Sequence, residues 1–336
     1  MNTKPLGPSG LNASVIGLGA WVLGGGTVWG PNPDDSESIR TIQEALDLGV
    51  NLIDTAPAYG WGRSETVVGQ ALKGRRDKAI VATKCGLWWE DDRGSFFAHF
   101  DGRPMNRSLR PDTLQLEIEQ SLRRLGTDRI DLYQTHWPSA PPEATPIADT
   151  MATLVKLRDQ GKVRALGVCN VSPDELLENL RCGGIVSDQF RYSMLCRGAE
   201  KDILPLCAEK GLATLTYMSL EQGLLTGKVG MDRVFNPGEF RTNDAWNPWF
   251  LPVNRRRILD QLAAWQDLTD KYACTLAQLV LAWTAAQPGV THVLAGARNA
   301  TQLRENVRAA SLNLEPADLA RMRRDVEALG EPAHQS

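Results

Sequence analysis

The segment Asn51-Leu-Ile-Asp-Thr-Ala-Pro-Ala-Tyr-Gly60 shows the pattern on which the whole chain is built. A short apolar run ends in Asp54, and a loop that contains Tyr59 follows. The same order recurs along the chain, with an amphipathic helix and a glycine or polar turn completing each unit. Such alternation is typical of βα units that form a parallel sheet.

Eight apolar runs have the composition of strands that are covered on both faces. They are Val15–Ala20, Asn51–Asp54, Ala79–Lys84, Arg129–Gln134, Val163–Val168, Val186–Gln189, Ala213–Tyr217 and Thr291–Ala295. Helical signals lie between them. The sequence Ser172-Pro-Asp-Glu175, for example, has the serine, proline and glutamate of a capped helix start.

Eight such units without a break in composition predict one α/β domain over residues 1–336, a (β/α)8 TIM barrel. An N-terminal β-hairpin is predicted from Lys4–Leu6 and Leu11–Ser14, and an extra C-terminal helix from Ser311 to Leu329. The alternative is an open doubly wound sheet with a dinucleotide fingerprint. Gly17-Leu-Gly19 is the candidate for that fingerprint, but Val22 occupies the place of its third glycine.

Composition excludes several classes of protein. The chain has 336 residues and a formal net charge of −3, which gives no reason to expect a nucleic acid or an acidic membrane as partner. No apolar run approaches the roughly 18 residues of a membrane helix, and the start shows no secretion signal, so we expect a cytoplasmic protein. The six cysteines are scattered, and no cluster of ligands predicts a metal site.

Polar residues follow the apolar runs at seven of the eight predicted strands. These residues are Asp54, Lys84, His136, Asn170, Gln189, Tyr217 and Arg298. The carboxyl ends of barrel strands meet at one rim, where barrel enzymes have their active sites. We therefore expect these side chains to lie around one site.

The combination of Tyr59 and Lys84 predicts proton transfer. A free tyrosine has a pKa near about 10, and a neighbouring ammonium lowers it. Tyr59 could then give a proton to a carbonyl oxygen, or take it back, closer to neutral pH. Asp54 would hold Lys84 in place, and His136 could orient the same substrate oxygen.

Four motifs resemble the aldo-keto reductase superfamily. They are Asn51–Gly60, Ala82-Thr-Lys84, Asp131-Leu-Tyr-Gln-Thr-His136 and Gly167-Val-Cys-Asn170. The similarity runs from about residue 4 to about residue 328, and the long loops place the chain nearer the bacterial and channel-associated branches. The resemblance implies a barrel that binds NADP (NADPH) without a Rossmann motif, and a catalytic tetrad of Asp54, Tyr59, Lys84 and His136.

The resemblance also implies a set of cofactor contacts. Asn170 and Gln189 would hold the nicotinamide amide, Tyr217 would stack on the ring, and Arg298 with Gln302 would hold the 2′-phosphate. The full set is Trp21, Asp54, Cys169, Asn170, Gln189, Tyr217, Met218, Ser219, Leu220, Gln222, Gly223, Lys228, Gly296, Ala297, Arg298, Gln302, Glu305 and Asn306. Cys169 and Met218-Ser219 depart from the residues that the family usually has there.

Two loops exceed the usual length and are rich in aromatic residues, Cys85–Leu109 and Glu221–Asn254. Long loops in compact proteins are usually functional or disordered, and the aromatic content argues against disorder. The predicted substrate pocket is Trp21, Tyr59, Trp88, His136, Trp137, Trp246, Trp249 and Phe250.

The sequence thus predicts an NADP-dependent oxidoreductase that interconverts a carbonyl compound and its alcohol. Sugars, ketoaldehydes, polyketide or terpenoid toxins and aromatic aldehydes all fit as small-molecule substrates. The alternative is an NADPH-binding regulatory subunit of a channel with little turnover, because such subunits can retain the tetrad. A barrel isomerase or lyase would need a phosphate or metal site that the sequence does not show.

Overall fold

The computed structural model describes residues 1–30 and 34–334. Eight parallel strands form a closed barrel, in which β3 pairs with β4, the order continues through β5 and β9 to β13, and β13 pairs back with β3. Within the described residues the strands are β1 (Thr3–Pro5), β2 (Asn12–Ser14), β3 (Ile16–Gly19), β4 (Leu52–Asp54), β5 (Ile80–Cys85), β6 (Leu87–Trp88), β7 (Ser95–Phe100), β8 (Arg103–Arg107), β9 (Ile130–Thr135), β10 (Val163–Cys169), β11 (Ser187–Arg191), β12 (Ala213–Tyr217) and β13 (His292–Gly296).

Helices cover the outside of the barrel and pack on a core of apolar side chains. In the described part of the chain they are α1 (Gly26–Trp29), α2 (Asp35–Asp47), α3 (Arg63–Ala71), α4 (Pro111–Leu125), α5 (Ile147–Asp159), α6 (Pro173–Gly183), α7 (Ile203–Lys210), α8 (Pro252–Ala263), α9 (Gln266–Lys271), α10 (Leu276–Ala285), α11 (Ala300–Arg308) and α12 (Pro316–Leu329). The predicted (β/α)8 barrel is confirmed, and the predicted capping box of Ser172 and Glu175 starts α6.

The predicted N-terminal hairpin is present and closes the end of the barrel opposite the strand carboxyl termini. β1 and β2 pair antiparallel, with Lys4 opposite Ala13. Leu6 and Leu11 pack with the inward-facing Leu52, Leu132 and other apolar side chains of the barrel floor. The hairpin therefore acts as an apolar plug.

The extra C-terminal helix is also confirmed, but it begins later than predicted. Ser311 lies in a 3-10 turn, and α12 starts at Pro316, where the fixed φ of proline suits a first helical turn. Met322 and Val326 of α12 pack against α8 and α10, outside the barrel.

The first aromatic loop is a small sheet, which the sequence analysis did not predict. β6, β8 and β7 form three antiparallel strands in that order, and Asp101-Gly102 makes the turn between β7 and β8. Both turn residues have positive φ, and a two-residue Asp-Gly turn is a strong hairpin signal. We name residues 87–107 the aromatic lobe.

The lobe is fastened to two other loops through one carboxylate. Asp101 accepts hydrogen bonds from the backbone N–H of Thr27 (2.8 Å) and from the indole N–H of Trp61 (2.9 Å). These contacts join the loops that follow β3 and β4 to the lobe. They hold it over the carboxyl ends of the barrel strands.

None of the helices in residues 1–30 and 34–334 combines the length and the apolar character needed to cross a bilayer.

The plug generates a stability prediction. Leu6 is fully buried, so we expect Leu6→Ala to lower the free energy of unfolding by about 2–5 kcal/mol, the usual cost of a cavity in a core. Urea unfolding followed by circular dichroism measures this. Leu116→Ala on α4 is the control, because Leu116 is 45% exposed and its loss should cost less than about 0.5 kcal/mol. An equal loss of unfolding free energy in the two variants would show that the hairpin does not act as an apolar plug.

Candidate active site

A buried ion pair lies at the carboxyl end of the barrel. Lys84 at the end of β5 places Nζ 2.8 and 3.0 Å from the carboxylate oxygens of Asp54, which ends β4. The two side chains are 0% and 4% exposed. Nζ also donates to the carbonyl oxygen of Thr55 (2.9 Å), and Gln189 donates an amide N–H to Asp54 (2.8 Å). Both buried charges are therefore paired and hydrogen-bonded, as burial requires.

The charge of Lys84 is maintained by its partner. Burial has the largest single effect and lowers the pKa of Lys84, but Asp54, Tyr59 and Cys169 together outweigh it, with Asp54 contributing most, and the pKa is raised. Lys84 is thus an ammonium at any ordinary pH.

Tyr59 lies directly beside this ammonium. The loop after β4 carries its hydroxyl to 3.1 Å from Lys84 Nζ. Burial raises the pKa of Tyr59 to about 12, and the opposing effect of Lys84 only reduces that rise. The sequence analysis expected a lowered pKa, and this expectation is corrected: desolvation of the phenolate outweighs the neighbouring cation.

Two glycines place the Tyr59 loop. Gly60 has φ +66°, and a Cβ there would lie 2.2 Å from the carbonyl oxygen of Gly24. A Cβ on Gly24 would in turn lie 2.7 Å from the carbonyl carbon of Tyr59. The backbones of the loops after β3 and β4 therefore touch, and no side chain fits between them.

His136 faces the ring of Tyr59, with ring centroids 5.7 Å apart. Burial, and then the charge of Lys84, lower the pKa of His136 well below its usual value, so the imidazole is neutral. Among the described residues no group bonds to His136 Nδ1, which is buried. Asp54, Tyr59, Lys84 and His136 are thus brought together.

A cavity of about 920 Å³ extends from Tyr59 across the strand ends to the start of α11. All residues predicted to contact the cofactor line it except Cys169 and Ala297, which are buried behind the wall. Near the tetrad, the Tyr217 hydroxyl donates to Asn170 Oδ1 (2.7 Å), and Asn170 donates to the carbonyl oxygen of His136 (3.0 Å). Asn170 and Gln189 place amide groups on the cavity floor.

The far end of the cavity is rich in positive charge. Arg298 lies next to Arg241 and Arg233, and all three side chains line the cavity. Burial and then the neighbouring Arg241 lower the pKa of Arg298, while Glu239 opposes them. Crowded guanidinium groups of this kind suit an anion.

Helix α11 starts at the same place. Asn299 caps it by accepting from the backbone N–H of Gln302 (3.0 Å), and a capped helix start adds a favourable dipole for an anion. Farther along, Glu305 pairs with Lys228 (2.7 Å), and Asn306 donates to the carbonyl oxygen of Gly296 (3.0 Å).

Aromatic rings surround the other end of the cavity above Tyr59. Trp21 contacts Tyr59 and Phe240, Phe240 contacts Trp246, and Trp246 contacts Trp137, with centroid separations from 5.5 to 6.2 Å. We name the set Trp21, Phe240, Trp246, Trp137 and Phe97 the aromatic wall.

Three predicted pocket residues do not line the cavity. Trp88 is buried in the lobe, where its indole N–H donates to Asp91 (2.7 Å). Trp249 and Phe250 pack into the apolar core beneath α8. Their places on the wall are taken by Phe97 and Phe240, which the sequence analysis did not name for the pocket. For Phe97, the Asp-Gly turn that defines the β7–β8 hairpin was the available signal.

Residues 15–326 match the model of the Aldo/keto reductase family. The chain is 44% identical over 330 residues to the NADH-specific methylglyoxal reductase of Escherichia coli (strain K12), covering 98% of this chain and 99% of that protein. It is 30% identical over 325 residues to a probable voltage-gated potassium channel subunit beta of Arabidopsis thaliana, covering 93% and 92%.

Among solved structures, the glycerol dehydrogenase AKR11B4 from Gluconobacter oxydans superposes with a TM-score of 0.85. It is 35% identical to this chain, and the match covers 99% of this chain and 97% of that one. The protein therefore belongs to the aldo/keto reductase family, a family of oxidoreductases.

Proposed function

We propose that this protein reduces an aldehyde or ketone to its alcohol, with Tyr59 as the proton donor, and that it can run the reverse reaction. The observation that supports the proposal most directly is the 3.1 Å contact between Tyr59 and a lysine that is itself held by Asp54. The cavity opens above that hydroxyl, so a carbonyl group can approach it. When bound, a nicotinamide cofactor supplies or accepts the hydride.

Each member of the tetrad has a distinct task in this proposal. Tyr59 gives its proton to the substrate oxygen as negative charge develops there, and the Lys84 ammonium stabilises the phenolate that remains. Asp54 keeps Lys84 charged and fixed. His136, because it is neutral, can donate one N–H to the same oxygen and orient the carbonyl group.

The raised pKa of Tyr59 favours reduction as the easier direction. A phenol with a pKa of about 12 is protonated throughout the ordinary pH range and is always ready to donate. The oxidation of an alcohol needs the phenolate, which is scarce at neutral pH.

We propose NADP as the cofactor. Its residues of contact would be Asn170 and Gln189 at the nicotinamide, the turn after Tyr217 at the pyrophosphate, and Arg298 at the 2′-phosphate. The cluster of Arg298, Arg241 and Arg233 beside a capped helix start supports a site for that extra phosphate. The relative that is 44% identical is named as NADH-specific, so the preference of this protein between NADPH and NADH needs a direct test.

A regulatory role is the second candidate, because one relative is named as a channel subunit. The assay that separates the two is the turnover of 4-nitrobenzaldehyde with each reduced cofactor. Measurable turnover supports an enzyme. Tight binding of the cofactor with no turnover of a panel of reactive aldehydes supports the regulatory role.

Tyr59→Phe tests the proton donor. We expect kcat for reduction to fall by about 10²–10⁴-fold, the usual contribution of a general acid, with the Kd of the cofactor almost unchanged. Tyr272→Phe is the control, because Tyr272 bonds to Asp318 between α9 and α12, away from the cavity. Turnover of the Tyr59 variant at the wild-type rate would contradict the assignment of Tyr59 as the proton donor.

The pKa of Tyr59 predicts opposite pH profiles for the two directions. The titration of Tyr59 should change kcat/KM for reduction by less than about 3-fold between pH 6 and 9, because the phenol stays protonated. Oxidation should rise by about tenfold for each pH unit over that range, as the phenolate fraction grows. Steady-state kcat/KM in both directions measures this. A fall in kcat/KM for reduction with a midpoint near pH 7 would show that the pKa of Tyr59 is not raised.

Arg298→Ala tests the choice of cofactor. Loss of a charge-assisted hydrogen bond to phosphate should raise the Kd of NADPH by about 10- to 150-fold and leave that of NADH nearly unchanged. Arg308→Ala, at the other end of α11, is the matched control. A wild-type preference for NADH, or equal weakening of both cofactors in Arg298→Ala, would overturn the proposed 2′-phosphate site.

A further inference from the structure

The turn after β12 has an unusual backbone. Met218, Glu221 and Gln222 have φ values of +60°, +43° and +54°, in the left-handed region that non-glycine residues rarely adopt. Met218, Ser219, Leu220, Gln222 and Gly223 all line the cavity. We name residues 218–223 the cofactor turn. Backbone of this kind persists only where the surrounding contacts hold it.

A buried ion pair provides that hold. Arg191, at the end of β11, places a guanidinium nitrogen 2.5 Å from Glu221 Oε2, and the side chains are 19% and 2% exposed. The hydroxyl of Ser193 donates to the other oxygen of Glu221 (2.5 Å). The carboxylate in the middle of the cofactor turn is thus anchored from the barrel strand beside it.

The same guanidinium reaches the aromatic wall. Its second terminal nitrogen donates to the carbonyl oxygen of Trp246 (3.0 Å). A parallel connection runs from Gln222, whose amide donates to Asn247 Oδ1 (2.6 Å), and from Asn247 to the carbonyl oxygen of Phe240 (2.7 Å). Arg191 therefore touches both the cofactor turn and the wall, although it does not line the cavity itself.

We propose that Arg191 is a positioning residue that links cofactor binding to the substrate pocket. One terminal nitrogen of its guanidinium fixes the cofactor turn through Glu221, and the other fixes the backbone of Trp246. The inference rests on the proposed function, because it assumes that the cavity holds both a nicotinamide cofactor and a carbonyl substrate. It assigns to Arg191 no contact with either of them and no part in the proton transfer.

The chemistry of arginine explains why this residue type occurs here. A planar guanidinium donates from two terminal nitrogens that lie apart, so it can reach two separated acceptors, whereas all the donors of an ammonium lie on one nitrogen. Buried ion pairs contribute little to stability on balance, because desolvation offsets their attraction. What this pair supplies is a fixed relation between the two loops.

Arg191→Lys separates the contact with Glu221 from the contact with Trp246. The lysine retains a charge for Glu221 but cannot also reach the Trp246 carbonyl oxygen. We expect KM for 4-nitrobenzaldehyde to rise by about 10-fold, with kcat and the Kd of NADPH each within about 3-fold of wild type. The Kd is measured without substrate by quenching of tryptophan fluorescence, and KM and kcat are measured at saturating cofactor.

A double variant removes the anchor of the cofactor turn. Arg191→Met with Glu221→Gln leaves no unpaired buried charge, so it avoids the large cost of breaking one half of the pair. We expect the Kd of NADPH to rise by about 10-fold or more, together with KM. Thermal melting reports folding in each variant.

The control is another arginine that donates to a carboxylate and to a second acceptor. Arg323 on α12 bonds to Glu200 with both terminal nitrogens and also to Gln287 (2.6 Å), away from the cavity. Arg323→Lys should lower the melting temperature as much as Arg191→Lys but leave KM and the Kd unchanged.

Several results overturn the inference. If Arg191→Lys behaves like Arg323→Lys, Arg191 is only a structural residue. If kcat alone falls while KM and the Kd stay at their wild-type values, the variant has merely lost active protein, and Arg191 positions neither loop. A wild-type protein that binds neither NADPH nor NADH overturns the proposed function and this inference with it, whereas a fully active wild type with unaffected variants overturns the inference alone.

Discussion

The pairing of Lys84 with Asp54 is the constraint on which the rest of the site depends. An ammonium buried inside a barrel is tolerated only if it is neutralised and hydrogen-bonded by its neighbours. Adjacent strands supply both charges, and the register that places Asp54 opposite Ala82 brings the two side chains together in the barrel interior. Once this pair is in place, Tyr59 and Gln189 have fixed partners, and the floor of the cavity follows from them.

The two ends of the cavity are built on different physical principles. The charged end combines a helix start with guanidinium groups, a combination that suits an anion. The aromatic end is made of rings from the aromatic lobe and from the segment around Trp246, and it lines the region above Tyr59 with apolar surface. The barrel carries the fixed chemistry, while the loops carry the part of the site that can differ between related enzymes.

Much of this arrangement could be predicted from the sequence. The eight strands and their order followed from apolar runs of strand length, and the polar residues that end them were brought to one cavity because parallel strands share a carboxyl edge. The pKa of Tyr59 could not be predicted, since it depends on burial as much as on Lys84. Nor could the sequence separate the tryptophans that line the cavity from those that do not. Trp88 and Trp137 have the same chemistry, and only the packing of the lobe puts one in its interior and the other on the wall.

The closure of the barrel joins the beginning of the chain to its end. Ile16 of β3 pairs with Val293 of β13, so one edge of the first barrel strand has no neighbour until the last one exists. Ribosomes add about 5–20 residues per second, and the interval between these strands therefore lasts on the order of 15–60 s. During that time an unpaired strand edge is open to pairing with other chains. The hydrogen bonds that seal the finished barrel are therefore among the last between its strands that the growing chain can form.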